Sequence, residues 1–143
     1  MSTAYDSSNI FAKIIRGELP AYTVYEDAET LAFMDIMPRS RGHSLVIPKT
    51  PARNILDASP AQLAACLATA QKISRASLKA FDADGITLQQ FNEPAGGQVV
   101  FHLHFHVLPR WSSQKLQPHT GQMEKPEVLA ANAEKLRQAL AAG

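Results

Sequence analysis

The sequence predicts an α+β domain: a five-stranded antiparallel sheet with one long helix packed on a face, a short N-terminal helix and a C-terminal tail helix. Two observations carry this. Five short apolar or alternating runs are joined by brief connections, which favours antiparallel neighbours. Between the third and fourth runs lies a long stretch with helical spacing and a strong start signal.

Taken in order, Ser8 is placed to cap a helix over Asn9–Arg16, with Ile10, Phe11, Ile14 and Ile15 on one side. Gly17 and Pro20 stop it. Strands over Thr23–Glu26 and Thr30–Met34 flank the tight Asp27-Ala28-Glu29 connection. Pro38 to Gly42 reads as a loop with two arginines, and Ser44–Ile47 as a third strand ended by Pro48. Ser59 then caps a helix, Pro60 takes its first position and Gln62 completes a capping box. That helix runs to about Phe81, with Leu63, Leu67, Ala70, Ile73 and Ser77 in one stripe. Ile86–Phe91 is a fourth strand, Asn92–Gly97 a loop, and Val99–Leu108 a fifth strand stopped by Pro109. The polar stretch Ser112–Lys125 reads as a linker. Pro126 opens the last helix, with Leu129, Ala133, Leu136 and Leu140 on one side. Residues 1–111 thus form the principal domain and 112–143 an extension.

With 143 residues, 45% of them hydrophobic, the chain suffices for one domain with a real core. Its formal charge of +1 argues against a partner such as a long nucleic acid, while leaving a single nucleotide open. The one cysteine, Cys66, rules out an internal disulfide or a cysteine zinc cluster, and its place beside the helix stripe predicts a buried, inert thiol. No signal-peptide pattern and no bilayer-length apolar run is seen, so a soluble cytoplasmic protein without a membrane partner is expected. Arg39, Arg41, Lys49 and Arg53 read as a solvated basic cluster. Trp111 suits either packing or stacking on a base.

The chemistry concentrates in Phe101-His102-Leu103-His104-Phe105-His106-Val107-Leu108. Three of the five histidines alternate there. On a strand, Phe101, Leu103, Phe105 and Val107 share a core face, and Gln98, His102, His104 and His106 share the other. Mere surface decoration does not explain three imidazoles opposite four bulky apolar residues. Two chemical readings remain. The histidines hold a catalytic metal, with Asp35 as a possible further ligand. Alternatively, one imidazole attacks phosphorus, with the glycine-containing loop Asn92–Gln98 cradling the anion. A nucleotide-binding interaction protein with little turnover is a third outcome.

These residues resemble the histidine triad (HIT) motif, His-x-His-x-His followed by apolar residues. The similarity extends to Ile10-Phe11, Lys13–Pro20, Leu31–Pro38 and Gly42–Lys49, over roughly the first hundred and ten residues. It implies a homodimeric nucleotide hydrolase or transferase that uses no catalytic metal and no cofactor, acting on a purine nucleoside 5′-phosphoryl derivative through a covalent nucleotidyl-histidine. By motif position, His104 is the nucleophile, His106 contacts the phosphoryl oxygens and leaving group, His102 orients the triad, and His43 packs against them. Asn92, Gly97 and Gln98 match the phosphate side. Asp35 matches the ribose acid, and Phe11, Phe33, Ile36 and Leu45 match the apolar clamp on the base. Relatives with Cys-x-x-Cys near the N-terminus hold a structural zinc; Asn9 and Ala12 stand at those places here. Val99 stands where many relatives carry a hydroxyl near the leaving group, which weakens the expectation of an amine leaving group. An attacking imidazole must be neutral, so activity is expected to fall in acid near the reference pKa of about 6.5 unless the site shifts it.

Overall fold

The computed structural model describes residues 4–118 and 122–143. His119 of the linker lies outside the described residues. Helix α1 (Ile10–Ile15) is followed by strands β1 (Thr23–Glu26), β2 (Thr30–Met34) and β3 (Ser44–Pro48) and helix α2 (Pro60–Ala80). Then come β4 (Gly85–Gln89), a 3₁₀ turn (Pro94–Gly96), β5 (Phe105–Arg110) and α3 (Pro126–Ala142). The five strands form one antiparallel sheet in the order β1-β2-β3-β5-β4.

Alternation along the central strands sends their side chains to two cores. Ala32, Met34, Val46, Phe105 and Val107 face α2 and α3, joined by Leu103, and pack with Cys66, Ala70, Ile73, Leu129, Ala133 and Leu136. Leu31, Phe33, Leu45 and Ile47 point to the other face and meet Phe11 of α1. Both faces of β2 and β3 are therefore covered, and every residue of each is buried. Fully burying one such side chain contributes roughly 1.5–3 kcal/mol. The extension joins the main core through Leu129, Ala133 and Leu136, on the side of the sheet away from α1. Among the described residues no helix is long and apolar enough to cross a membrane.

The capping box of α2 forms as expected: Ser59 Oγ accepts from Gln62 N, and Ser59 N donates to Gln62 Oε1. Other expectations are corrected. Asn9, not Ser8, caps α1, its Oδ1 accepting from Ala12 N at 2.9 Å, while Ser8 is held by Asp6. The buried stripe of α2 includes Cys66, Ala70, Ile73 and Ser77 but leaves Leu67 46% exposed. Burial pushes the Cys66 thiol up to about 12, so it is an inert core residue. Strand β4 ends at Gln89, because the amides of Gln90 and Asn92 turn the chain by bonding each other at 2.7 and 2.8 Å.

The largest correction concerns β5, which starts at Phe105 rather than Val99. Its ladder with β3 runs only from Ser44↔Val107 to Val46↔Phe105. Further along β3 stands Pro48, which has no N–H to donate, and whose carbonyl accepts from the His102 ring instead. Residues 99–104 leave the sheet, and Phe101 leaves the core to lie under the Arg53 guanidinium at 4.2 Å. At the other end β5 continues through Pro109 to Arg110. Pairing with β3 has ceased there and only β4 remains alongside, so the missing N–H costs nothing. Trp111 then packs on the core, its indole N–H donating to the carbonyls of Phe81 and Asp82.

Candidate active site

His106 is the one triad histidine on a strand; His102 and His104 stand on the irregular segment before it. The three are nonetheless gathered. The His104 and His106 rings lie 4.9 Å apart between centroids, and His43, at the start of β3, lies 5.2 Å from His106. All four histidines are buried. Leu103 N donates to Ala52 O at 2.8 Å and pins the segment where the ladder is lost.

The hydrogen bonds fix where each neutral ring carries its proton. Backbone carbonyls only accept, and backbone amides only donate. His104 Nδ1 lies 2.7 Å from the carbonyl of His102, so its proton is on Nδ1 and its lone pair on Nε2. Among the described residues no hydrogen bond engages that Nε2. His102 Nε2 lies 2.9 Å from Pro48 O and carries the proton, while its Nδ1 accepts from the Tyr5 hydroxyl at 2.6 Å. On the other side, Arg39 N donates to His43 Nδ1 at 3.1 Å. His43 Nε2 therefore holds its proton and donates to His106 Nδ1 at 2.9 Å, which leaves the His106 proton on Nε2. One histidine thus presents a lone pair and its neighbour presents a proton, the complementary pair that group transfer needs.

Burial decides the charge. Desolvation pushes His104 down to about 4, outweighing the hydrogen bond to His102 O that favours its protonated form. The site thus shifts this group away from the reference of about 6.5, and the imidazole is neutral throughout the physiological range. Burial lowers His102 as well.

Among the residues expected to clamp a base, Phe11 packs edge-on against His104 at 5.0 Å and against Phe33 at 5.4 Å. Phe33 and Leu45 belong to the same small core. Ile36 stands apart from it, 40% exposed in the loop after β2. Asp35 does two things. Its Oδ1 accepts from Met37 N at 2.8 Å, the turn role, and its Oδ2 lies 3.4 Å from His43 Nε2. Burial pushes its carboxyl up to about 6 despite the bond from Met37. The folded protein therefore holds this proton more tightly than the unfolded chain, and stability from this group grows as pH falls through 6 toward 3.8. Asp35→Asn keeps an acceptor for Met37 and removes the buried charge. It is expected to stabilise the fold by about 1–3 kcal/mol at pH 7, with the gap roughly halved at pH 5 and closing only as pH falls through 3.8. Thermal unfolding at the two pH values checks this.

The side chains of Asn92 and Gln98, expected on the phosphate side, are engaged within the protein. Gln98 makes four hydrogen bonds within the protein, accepting from Glu93 N and Asn54 Nδ2 and donating to Arg53 O and Val100 O. Asn92 Oδ1 accepts from Ile55 N and ties the loop to the segment after β3. Gly97 adopts φ +94, a left-handed conformation that closes the 3₁₀ turn. Glu93 also has positive φ, at 66, and is held there by Arg53 and Asn54. Tyr5, Arg39, Asn54 and Pro48 escaped the sequence reading. Their contributions are hydrogen bonds that no local pattern marks: Tyr5 and Pro48 reach His102 across the fold, Asn54 holds Glu93 and Gln98, and the Arg39 amide meets His43 through the turn before β3. The basic cluster disperses: Arg53 pairs with Glu93, Lys49 with Glu26, Arg39 bonds Gln117 O, and Arg41 lies over Phe81.

Donor atoms of Asp35, His43 and His106 lie within 4.8 Å of one another, close enough to suggest a metal. The protonation pattern does not fit one. His43 receives an amide proton at Nδ1, so its Nε2 is a donor and not a ligand lone pair. Chelation by the triad itself fails likewise, because both nitrogens of His102 are already engaged. At the structural-zinc position, Asn9 caps α1 and Ala12 is buried, and neither side chain is a metal ligand of the cysteine type.

An antiparallel sheet carrying a buried, tautomer-locked cluster of four histidines defines a histidine-triad fold and site. A model of the HIT domain matches residues 16–113. A HIT-like protein from Bartonella henselae, described as involved in cell-cycle regulation, superposes with a TM-score of 0.92 at 52% identity, covering 96% of this chain and 99% of that one. A zinc-bound histidine triad family protein from Mycobacterium smegmatis gives 0.85 at 38% identity, with 94% of each chain covered. In sequence, the adenylylsulfatase HINT3 of Arabidopsis thaliana is 38% identical over 130 residues, 87% of this chain and 66% of that longer protein. The chain belongs to the HIT family.

Proposed function

We propose that this protein is a nucleotide hydrolase or transferase that cleaves an adenosine 5′-phosphoryl derivative through a nucleotidyl-His104 intermediate. The observation that carries this reading is the tautomer of His104: proton on Nδ1, lone pair on Nε2, and burial that keeps the ring neutral. Nε2 attacks the α-phosphorus and the bond to the leaving group breaks. Positive charge then develops on the ring and is met by the His102 carbonyl. His106 donates its Nε2–H as a hydrogen bond to the departing oxygen, with His43 and the Arg39 amide holding it in that state. Water subsequently breaks the P–N bond and releases the monophosphate. Asp35 accepts from the ribose hydroxyls, and Phe11, Phe33, Ile36 and Leu45 bound the base.

This reading includes the leaving group. An amine departs only with a full proton, whereas a sulfate or phosphate departs as an anion and needs just a hydrogen bond. Val99, 82% exposed and without a hydroxyl, adds no donor. Adenylyl sulfate and dinucleoside polyphosphates are therefore favoured over phosphoramidates, in keeping with the adenylylsulfatase relative. The reading also includes a homodimer and a cytoplasmic location, on the family likeness. The test is mass spectrometry of enzyme mixed with adenylyl sulfate and quenched in alkaline denaturant. An adenylyl group on the peptide holding His104 is expected; the same group securely mapped to another residue overturns the mechanism.

A further inference from the structure

We infer that Tyr5 is a positioning residue that holds the nucleophile in its reactive tautomer, acting through His102. This deepens the function proposed above and rests on it for its kinetic arm. The His104 proton is held by the carbonyl of His102, a residue that belongs to no strand. A carbonyl on irregular backbone orients a neighbour only if its own residue is fixed. Two kinds of anchor fix it: the Leu103 N–H to Ala52 O, and the two hydrogen bonds on the His102 ring.

The ring bonds act as a pair. Pro48 O accepts from Nε2, which requires the proton there, and the Tyr5 hydroxyl donates to Nδ1, which requires a lone pair there. Either bond alone permits the ring to swing about the other contact; together they specify one tautomer and one orientation. The Tyr5 ring also packs edge-on against His102 at 5.6 Å. Tyr5 is itself held by a local turn. Asp6 accepts from Ser8 N and Oγ, Asp6 O accepts from Asn9 N and Nδ2, and Arg16 Nη1 reaches back to Ser7 O. The same Asn9 caps α1, the helix whose Phe11 packs on His104. The segment before α1 thus grips the site twice. Tyr5 lies before residue 16, where the match to the HIT domain begins, so the anchor comes from outside the matched span.

Tyr5→Phe tests the inference, because it keeps the ring packing and deletes only the hydroxyl. Two readouts are taken. With adenylyl sulfate, kcat is expected to fall about tenfold with KM unchanged, since Tyr5 touches no proposed substrate group. In ¹⁵N-edited NMR of the free protein, the wild type is expected to show single tautomers, Nε2–H for His102 and Nδ1–H for His104. The variant is expected to show the His102 Nδ1 resonance shifted and His104 in a tautomer mixture. The NMR arm needs no turnover, so it decides the role of Tyr5 even where the proposed activity fails. Unchanged His102 and His104 nitrogen shifts in the variant overturn the inference, as does an altered Tm with kcat retained.

Discussion

His104→Ala is expected to lower turnover of adenylyl sulfate by at least about 10³-fold while changing nucleotide affinity only a few-fold. The asymmetry follows from the ring's position. In the proposed mechanism its Nε2 attacks the phosphoryl group, whereas the proposed binding is spread over Asp35, the apolar clamp and the loop. A variant that retains near-normal kcat would refute covalent catalysis at this residue. The pH profile adds a second reading of the same group. With a pKa of about 4, the ring is about nine-tenths neutral at pH 5; at the reference 6.5 it would be only about 3% neutral. The acid limb of kcat is therefore expected near pH 4. Asp35 separates from it, because its carboxylate is lost from about pH 6 downward, raising KM while kcat holds. A kcat limb at 6.5 would mean that water reaches His104 and that its burial is not maintained.

Gly42→Ala is expected to destabilise the fold by about 2–5 kcal/mol and to lower Tm by about 10 °C. Gly42 has φ +84, and a Cβ there would stand 2.3 to 2.8 Å from three carbons of the Phe81 ring. Phe81 is 2% exposed at the end of α2 and has no room to retreat. Backbone strain and overpacking therefore add. Gly17→Ala supplies the comparison, with φ +77 but nothing within 4 Å, and should cost only the strain, about 1 kcal/mol. Equal effects of the two substitutions, measured by thermal unfolding, would show that the contact with Phe81 does not matter. Gly42 immediately precedes His43, so the same displacement would disturb the Arg39–His43–His106 relay and reduce activity in the fraction that remains folded.

Local sequence signals located most of the fold. The Ser59 capping box and Pro60 started α2 where it starts, Pro126 started α3, and the three N-terminal strands fell within a residue of their observed ends. These signals concern backbone groups a few residues apart, which is why they are readable one window at a time. The failures also have a common cause. Alternation through Val99–Leu108 satisfies the pattern of a strand, but a strand also needs a partner, and Pro48 withholds it from a distance of about fifty residues in sequence. Similarly, nothing local to Gln98 beside its two glycines tells that the folded chain commits its amide to Arg53, Asn54, Glu93 and Val100.

The sequence by itself determined most of the elements, the antiparallel sheet and the run of three histidines, because periodicity, capping and motif spacing are local properties. Only the tertiary structure decided which nitrogen of each ring bears a proton. That choice depends on a carbonyl, an amide or a hydroxyl that the fold puts in place: the nearby His102 carbonyl for His104 and Arg39 amide for His43, and the distant Pro48 and Tyr5 for His102 and His43 for His106. An imidazole is donor or acceptor according to its neighbours, and its neighbours exist only once the chain is folded.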